Sequence, residues 1–474
     1  MTTPYWVQDA IFYEIFPDRF ANGDPDNDPP NVQKWGTPPT TWGFQGGDLR
    51  GILQRFDYLL DLGITALYLT PIFQSSSTHR YNTTDYYKID PKLGNLDDFH
   101  ALLDTAHRNN VRLILDGVFN HCGRGFFAFS DVLENGENSP YKDWFHIKRF
   151  PLDAYTPGEA ENYLAWWKFK SLPKFNTANR QVRQYIFDVA RYWLEQGADG
   201  WRLDVPNEID DDTFWEEFRH AVKSANRDAY LVGEIWTPDP RWADDRHFDG
   251  LMNYPVRDAL LRLLSAGTLD MPHFVGKVEE LLKTYPRENV YAMYVPLGSH
   301  DTERLFTKIG RDTARAKLAF LFQFAYPGAP AIYYGDEIGL EGEKDPDSRR
   351  AFPWDQKEWN VELRHWIKTL IALRKRYPSL RRGDFQRLLT PALAAGASVD
   401  DANGHYVFAR TLGEEKIVIA LNAGPHIQKV DVPVTSLGWQ DGRHLRGLLD
   451  NQKYAVSDGR LSLSLPPWSG VWVG

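Results

Sequence analysis

Three acidic side chains stand where short apolar runs stop. Asp204 closes DGWRLD, Glu234 lies in LVGEIW, and Asp301 ends VYAMYVPLGSHD. A carboxylate bordering a buried strand is costly unless it is solvated, paired or used. If the runs are successive parallel strands, all three emerge at one rim, a suitable place for acid chemistry on a glycosidic bond. Cleavage with retention needs two carboxyls about 5 to 5.5 Å apart, one ionised to attack C1 and one protonated to give the leaving oxygen its proton. Glu has one more methylene of reach towards that oxygen. Arg202 lies two residues before Asp204 and so faces the same side of its strand, where a guanidinium can hold the acid ionised and fix its rotamer.

The segments that must position these acids alternate along the chain. IFYEIF (11–16) reads as a strand, and the polar loop after it, FANGDPDNDPPNVQKWGTPPTTWGFQGGD, is too rich in Gly, Pro, Asn and Asp for regular structure. LRGILQRFDYLLDLG predicts an amphipathic helix stopped by Gly63, TALYLTP a buried strand, LDDFHALLDTAHRNN a helix and VRLILDGVFNH the next strand. After an interruption come the helix TANRQVRQYIFDVARYWLEQG, the strand DGWRLD, the helix DDTFWEEFRHAVKSA and the strand YLVGEI. A weak strand over 247–252 and a helical region over roughly 270–284 precede the strand NVYAMYV, the helix TARAKLAFLFQFAY, the strand GAPAIYYGDE and a helix through WNVELRHWIKTLIALRKRYP. This rhythm predicts an α/β fold, a (β/α)8 TIM barrel built from residues 1–121 and 177–382. Residues 122–176 are aromatic, contain Gly and Pro, and are too long for an ordinary loop; they predict a subdomain inserted after strand three that roofs part of the mouth. From 383 to 474 short, partly alternating strands predict a C-terminal antiparallel β-sandwich.

Composition narrows the partners. The chain has 474 residues, 42% hydrophobic and 25% charged, enough for a large core with additional domains. A formal net charge of -10 disfavours a nucleic-acid backbone as partner, and no basic patch carries a nucleic-acid-binding pattern. Cys122 is the only cysteine, so no intramolecular disulfide can form. No apolar run has transmembrane length, and MTTPYWVQDA lacks the basic start and apolar stretch of a signal peptide, which predicts a cytoplasmic protein. Seventeen Trp and 23 Tyr are a heavy aromatic load that mostly fills cores, and a surplus of aromatic planes also suits the C–H faces of sugar rings.

DGVFNH (116–121), GWRLDVPNE (200–208), GEIW (233–236), LGSHD (297–301) and GAPAIYYGDEIG (328–339), with HRYNTTDYYKIDP (79–91) and LPKFN (172–176), resemble motifs of the alpha-amylase family, glycoside hydrolase family 13. They are most similar to its cyclomaltodextrinase, neopullulanase and maltogenic-amylase branch. The resemblance implies a retaining hydrolase of alpha-1,4-glucosidic bonds in maltodextrins and cyclomaltodextrins, with short products such as maltose. In it Asp204 matches the nucleophile, Glu234 the general acid/base and Asp301 the acid that stabilises the transition state. His121 and His300 match ligands of the glucose ring beside the cleaved bond, Tyr81 the aromatic stacked under that ring and Asp85 a polar support nearby. Arg202 and Trp236 are counted with the substrate-binding residues, and Asn207 and Glu208 with the leaving-group side. Asp116 and Asn120 match residues that hold the third-strand loop.

The same resemblance carries a structural calcium ion. Asn22, Asp24, Asn27 and Asp28 of NGDPDND, Gly46 through its carbonyl, and Asp48 of GGD match the calcium loop of neopullulanase-like enzymes, and hard calcium favours such oxygen donors. Two features depart from the branch. LPKFN stands for MPKLN, and the barrel begins near residue 5, where members of the branch usually carry an extra N-terminal β-domain that builds a dimer. The expected protein is therefore a monomer, or a dimer assembled otherwise, acting on linear or cyclic alpha-glucan oligosaccharides. An exo-acting alpha-glucosidase or an alpha-glucan transferase shares the same trio, and a non-catalytic barrel would be expected to have lost one of the three acids.

Overall fold

Short runs of Val, Ile, Leu and aromatics, buried on both faces, form the centre of the molecule in the computed structural model, which describes residues 3–265, 269–389 and 404–474. The eight strands are Phe12–Ile15, Ala66–Leu69, Arg112–Gly117, Gly200–Leu203, Tyr230–Gly233, Gly250–Leu251, Tyr294–Pro296 and Ala329–Tyr333. Strands one to six pair in parallel in chain order, the eighth pairs with the first, and the seventh with the eighth. A parallel bridge between Met252 and Tyr294 joins the remaining edges, and the Asn253 N–H donates to the Tyr294 carbonyl at 2.7 Å. This is the expected (β/α)8 barrel.

The barrel interior changes character along its axis. Phe12, Ala66, Ile114, Tyr230, Ala292 and Ala329 fill the N-terminal end, with Val7 of the preceding 3-10 turn. Further along the axis, strands one to four present Glu14, Tyr68, Asp116 and Arg202, all buried. Inward positions repeat every second residue, so a largely polar set follows an apolar one, with Val232 opposite Arg202 remaining apolar.

Several elements differ from the sequence reading. The helix expected over LRGILQRFDYLLDLG is two, Leu49–Gln54 and Phe56–Leu62, separated at Arg55; Gly63 ends the second with φ +94, as expected of a left-handed stop. NVYAMYV is only half strand: residues through Tyr291 belong to the helix Arg287–Tyr291, and the strand starts at Tyr294. The helix Tyr254–Leu264 has no counterpart in the sequence reading, although Pro255 in its first turn and the Asn253 side chain capping the Val256 N–H are ordinary start signals. Strands His444–Arg446 and Lys453–Ser457 are likewise additions. Among the described residues no helix is long and apolar enough to cross a membrane.

Between strand three and the next barrel helix, residues 122–176 form a small unit. Its helix Phe127–Asn135 packs Phe129 against Phe145 and Tyr163, with ring centroids 5.0 and 5.2 Å apart. Bridges from His121 to Lys174 and from Phe145 to Phe175 tie both ends of the unit together.

The C-terminal segment forms two four-stranded antiparallel sheets. The first, containing His405–Leu412 and Glu415–Asn422, is apolar on both faces. Tyr406, Phe408, Ile417 and Ile419 join the barrel's core, whereas Val407, Ala409, Val418 and Ala420 face the second sheet. Period-two alternation thus lets one sheet serve two cores. Phe408 is fully buried and stacks on Phe385 at 4.6 Å. Phe408→Ala is expected to cost about 3–5 kcal/mol through the cavity it leaves. Urea denaturation measures this; a loss under about 1 kcal/mol would show that the contact is dispensable.

Candidate active site

Strand register sets the first contact. Asp116 on strand three lies directly opposite Arg202 on strand four, and Arg202 Nη1 reaches both Asp116 oxygens at 2.9 and 3.0 Å. Asp204, one pleat beyond Arg202, accepts from the same nitrogen at 3.0 Å. Glu234 follows strand five, and its Oε2 lies 2.9 Å from Arg202 Nη2. Asp301 Oδ2 is 3.9 Å from Nη2. One guanidinium, 1% exposed, therefore faces four carboxylates.

The acids differ in what else they touch. Glu234 Oε1 accepts from Trp236 Nε1 at 3.0 Å, and its Oε2 accepts from the Val205 N–H at 3.0 Å. Val205 has φ 36 and ψ 51, a left-handed conformation that is unfavourable for a β-branched residue. It turns the chain immediately after Asp204 so that its N–H meets the next acid. Burial raises the Asp204 and Glu234 carboxyls, Arg202 opposes the rise on both, and the neighbouring acids add to it. Both carboxyls are thus held above the ordinary carboxylate range and titrate as one interacting pair.

Asp301 is held oppositely. Burial would raise it, but His300, Arg349 and Arg202 keep it well below the usual carboxylate range. His300 Nε2 is 3.0 Å from its Oδ2, and Arg349 Nη2 is 3.4 Å from Oδ1. The site therefore combines an ionised Asp301 with a close pair of raised carboxyls, Asp204 and Glu234, and two carboxyls that can divide one charge and one proton between them suit cleavage of a glycosidic bond.

Tyr81, on the turn between Phe73–Ser75 and Thr83–Ile89, donates to Asp116 Oδ2 at 2.9 Å and lies 5.5 Å from the His300 ring in a near-parallel stack. His121 Nδ1 lies 3.2 Å from Asn120 Nδ2, and His121 Nε2 is buried without a hydrogen-bond partner. Burial pushes the imidazole down to about 3, outweighing a backbone hydrogen bond at Tyr81, so the ring is neutral. Trp236 is 46% exposed and stacks on Tyr254 at 3.8 Å. Asn207 and Glu208 occupy an exposed 3-10 turn just after Val205, where Lys174 of the inserted unit donates to the Glu208 carbonyl at 2.6 Å. Asp85 is not brought into the cluster: it accepts from the Tyr87 N–H at 2.9 Å and pairs with Lys88 at 3.0 Å.

Glu14, Tyr68 and Tyr254 complete the site and were not singled out from the sequence. Tyr68 donates to Asp116 Oδ2 at 2.5 Å. Their signal was a lone polar group at an inward position of an otherwise apolar strand, visible for Glu14 in IFYEIF and Tyr68 in TALYLTP. In the inserted unit, Trp166 stacks on His121 at 5.6 Å and on Trp167 at 4.5 Å. Trp167 and Phe169 are 71% and 51% exposed, so these two do not form the unit's own core.

The loop after strand one gathers the six residues matched to a calcium loop. Asp48 is buried and accepts from Gly51 N at 2.6 Å, Asp24 N at 2.8 Å and Asn27 Nδ2 at 3.1 Å. Asp24 pairs with Arg50 at 2.6 Å. Asn22 Nδ2 donates to Asp28 Oδ1 at 2.9 Å, and Oδ1 of Asn22 and of Asn27 are buried without partners. Gly46 has φ +83, and a Cβ there would lie 2.2 Å from Asp28 Oδ1. Among the described residues no group of three or more His, Cys, Asp or Glu is placed to hold a metal; the loop's free donors are amide oxygens.

Removing the central cation tests the electrostatic account. Arg202→Ala leaves Asp116, Asp204 and Glu234 facing one another, so a stability loss of about 3–5 kcal/mol is expected at pH 7. The loss should shrink as pH falls and these acids protonate. Chemical denaturation across pH decides it; a penalty independent of pH would contradict the account.

Comparison with known proteins places this geometry. The family described as alpha amylase, catalytic domain, matches residues 14–369, and an alpha-amylase C-terminal domain matches residues 397–470. A cyclomaltodextrinase of Geobacillus thermopakistaniensis is 44% identical over 470 residues, covering 99% of this chain and 77% of that protein. Neopullulanase 2 of Thermoactinomyces vulgaris is 43% identical, covering 100% and 79%. The solved structure of the cyclic alpha-maltosyl-(1→6)-maltose hydrolase of Arthrobacter globiformis, in complex with cyclic alpha-maltosyl-(1→6)-maltose, superimposes with a TM-score of 0.89 at 39% identity and covers 100% of both chains. The chain belongs to the alpha-amylase family of glycoside hydrolases.

Proposed function

We propose that this protein is a retaining hydrolase of alpha-1,4-glucosidic bonds in maltodextrins and cyclomaltodextrins, releasing short maltooligosaccharides such as maltose. The observation that carries the reading is the pairing of Asp204 and Glu234 with the two arms of Arg202, at 3.0 and 2.9 Å, beside a separately ionised Asp301. The relationship to a cyclomaltodextrinase and a neopullulanase supports the substrate class.

In the first step an Asp204 oxygen attacks C1 while Glu234 gives its proton to the glycosidic oxygen; the C1–O bond breaks and a glycosyl ester forms. In the second, Glu234 takes a proton from water, whose oxygen displaces Asp204 from C1. Before the first step the shared proton must reside on Glu234 and the charge on Asp204. Asp301 would bind hydroxyls of the distorted ring, and those contacts strengthen as positive charge develops. His121 Nε2 supplies a further polar contact at the ring, and Trp166 and Trp167 form a wall on the leaving-group side.

A structural calcium ion is assigned to the loop after strand one. Asn22, Asn27, Asp28 and the Gly46 carbonyl would hold it, with Asp24 and Asp48 bordering them, and it would brace the loop without entering bond cleavage. Two unpartnered buried amide oxygens beside an Asp carboxylate support that fit.

Two measurements test these readings. Asp204→Asn is expected to reduce hydrolysis of beta-cyclodextrin by about 10⁴-fold or more, and the wild-type protein should open that ring before short products accumulate. Glucose alone, released from the non-reducing end of maltotriose with no ring opening, would instead identify an exo-acting glucosidase. For the loop, metal analysis of purified protein should find stoichiometric calcium, and EDTA should lower Tm. Metal-free protein with an EDTA-insensitive Tm would remove the calcium assignment and leave the catalytic one intact.

A further inference from the structure

Glu14 is the sole charged residue of the first strand and is completely buried. Its Oε1 accepts from the His300 backbone N–H at 3.0 Å and faces His300 Nδ1 at 2.7 Å. Its Oε2 accepts from the Tyr294 hydroxyl at 3.2 Å. Among the described residues its ion-pair partner is His300, with no Lys or Arg in that role. A carboxylate out of water needs a compensating charge, so the imidazole must supply it.

The other ring nitrogen points the same way. His300 Nε2 lies 3.0 Å from Asp301 Oδ2 and 2.5 Å from the Tyr81 hydroxyl. Tyr81 gives its own proton to Asp116 at 2.9 Å, leaving its oxygen free to accept. With acceptors facing both nitrogens, both carry hydrogen, and the ring is an imidazolium.

We propose that Glu14 is a positioning residue for the glycosidic site: through Nδ1 it keeps His300 charged and turned so that Nε2 pairs with Asp301. The proposal rests on the retaining-hydrolase reading for what Asp301 does, but not for the contact itself. Burial would push the His300 imidazole down, yet Asp301 and Glu14 outweigh it and carry it up to about 10. The surrounding elements contribute as follows. Tyr81 stacks on the ring, the Tyr68 ring meets it edge-on at 6.5 Å, and Arg349 donates to the His300 carbonyl at 2.9 Å. His79 and Glu234 act at longer range. Because the imidazolium stabilises ionised Asp301, that support is present below the His300 pKa and is lost as pH rises through it.

Glu14→Gln tests the proposal. The amide keeps an acceptor for His300 and a donor for the Tyr294 oxygen but removes the charge. The expected result is a His300 titration lowered by about one pH unit or more, with kcat falling about tenfold while KM changes less. In substrate-free wild-type protein labelled with 15N-histidine, the His300 Nδ1 proton should resonate far downfield and persist well above neutral pH. A Glu14→Gln enzyme with the wild-type His300 titration and kcat overturns the proposal. So does a wild-type His300 that titrates near the ordinary imidazole value of about 6.5. If Glu14→Gln does not fold, the wild-type titration decides alone. The resonance is read without substrate, so failure to cleave alpha-glucans would remove the functional reading while leaving this contact to its own test.

Discussion

A single buried guanidinium is the contact on which the site depends. Arg202 has 1% of its surface exposed and lies within 3.0 Å of Asp116, Asp204 and Glu234. Such a cluster is affordable only because strand register delivers the partners already aligned: Asp116 and Arg202 are neighbours across strands three and four, and Asp204 lies one pleat beyond. The barrel supplies the same service on its other side, where Glu14, Tyr68 and Tyr81 converge on His300 and Asp116. The apolar layer beneath isolates these groups from the far end of the barrel, and the charges compensate one another rather than being hydrated.

That layering also explains the division of labour among three acids of nearly identical intrinsic acidity. Asp204 and Glu234 share the arms of Arg202, burial raises both, and Glu234 raises Asp204 further. Asp301 has the His300 imidazolium and Arg349 and remains ionised. Environment assigns the roles, and the left-handed Val205 is the local cost of bringing the first two acids together.

Much of this was legible in the chain because the barrel's signals are local. Alternating helices and short apolar strands named the fold, and acids at the ends of those runs named the trio. What stayed hidden depended on inward direction rather than residue type. Glu14 and Tyr68 read as ordinary members of apolar strands until the eight strands closed around a common axis, and Asp85 read as a site residue although its strand turns it towards Tyr87 and Lys88. The two-residue strand Gly250–Leu251 was faint because a strand so short has almost no periodicity of its own. The aromatic insert was readable as a unit, but only the packing shows that Phe129, Phe145 and Tyr163 make its core while Trp167 and Phe169 remain outside it.

The polar layer of the barrel gathers the carboxylates, and the insert reaches them through Trp166 stacked on His121. The account turns on Asp204 as the atom donor to C1. Mass spectrometry of peptides from enzyme quenched during turnover of a slow fluorinated alpha-glucosyl substrate tests this most directly. A glycosyl adduct on the peptide bearing Asp204 is the expected result. An adduct on Glu234 or Asp301 would contradict it.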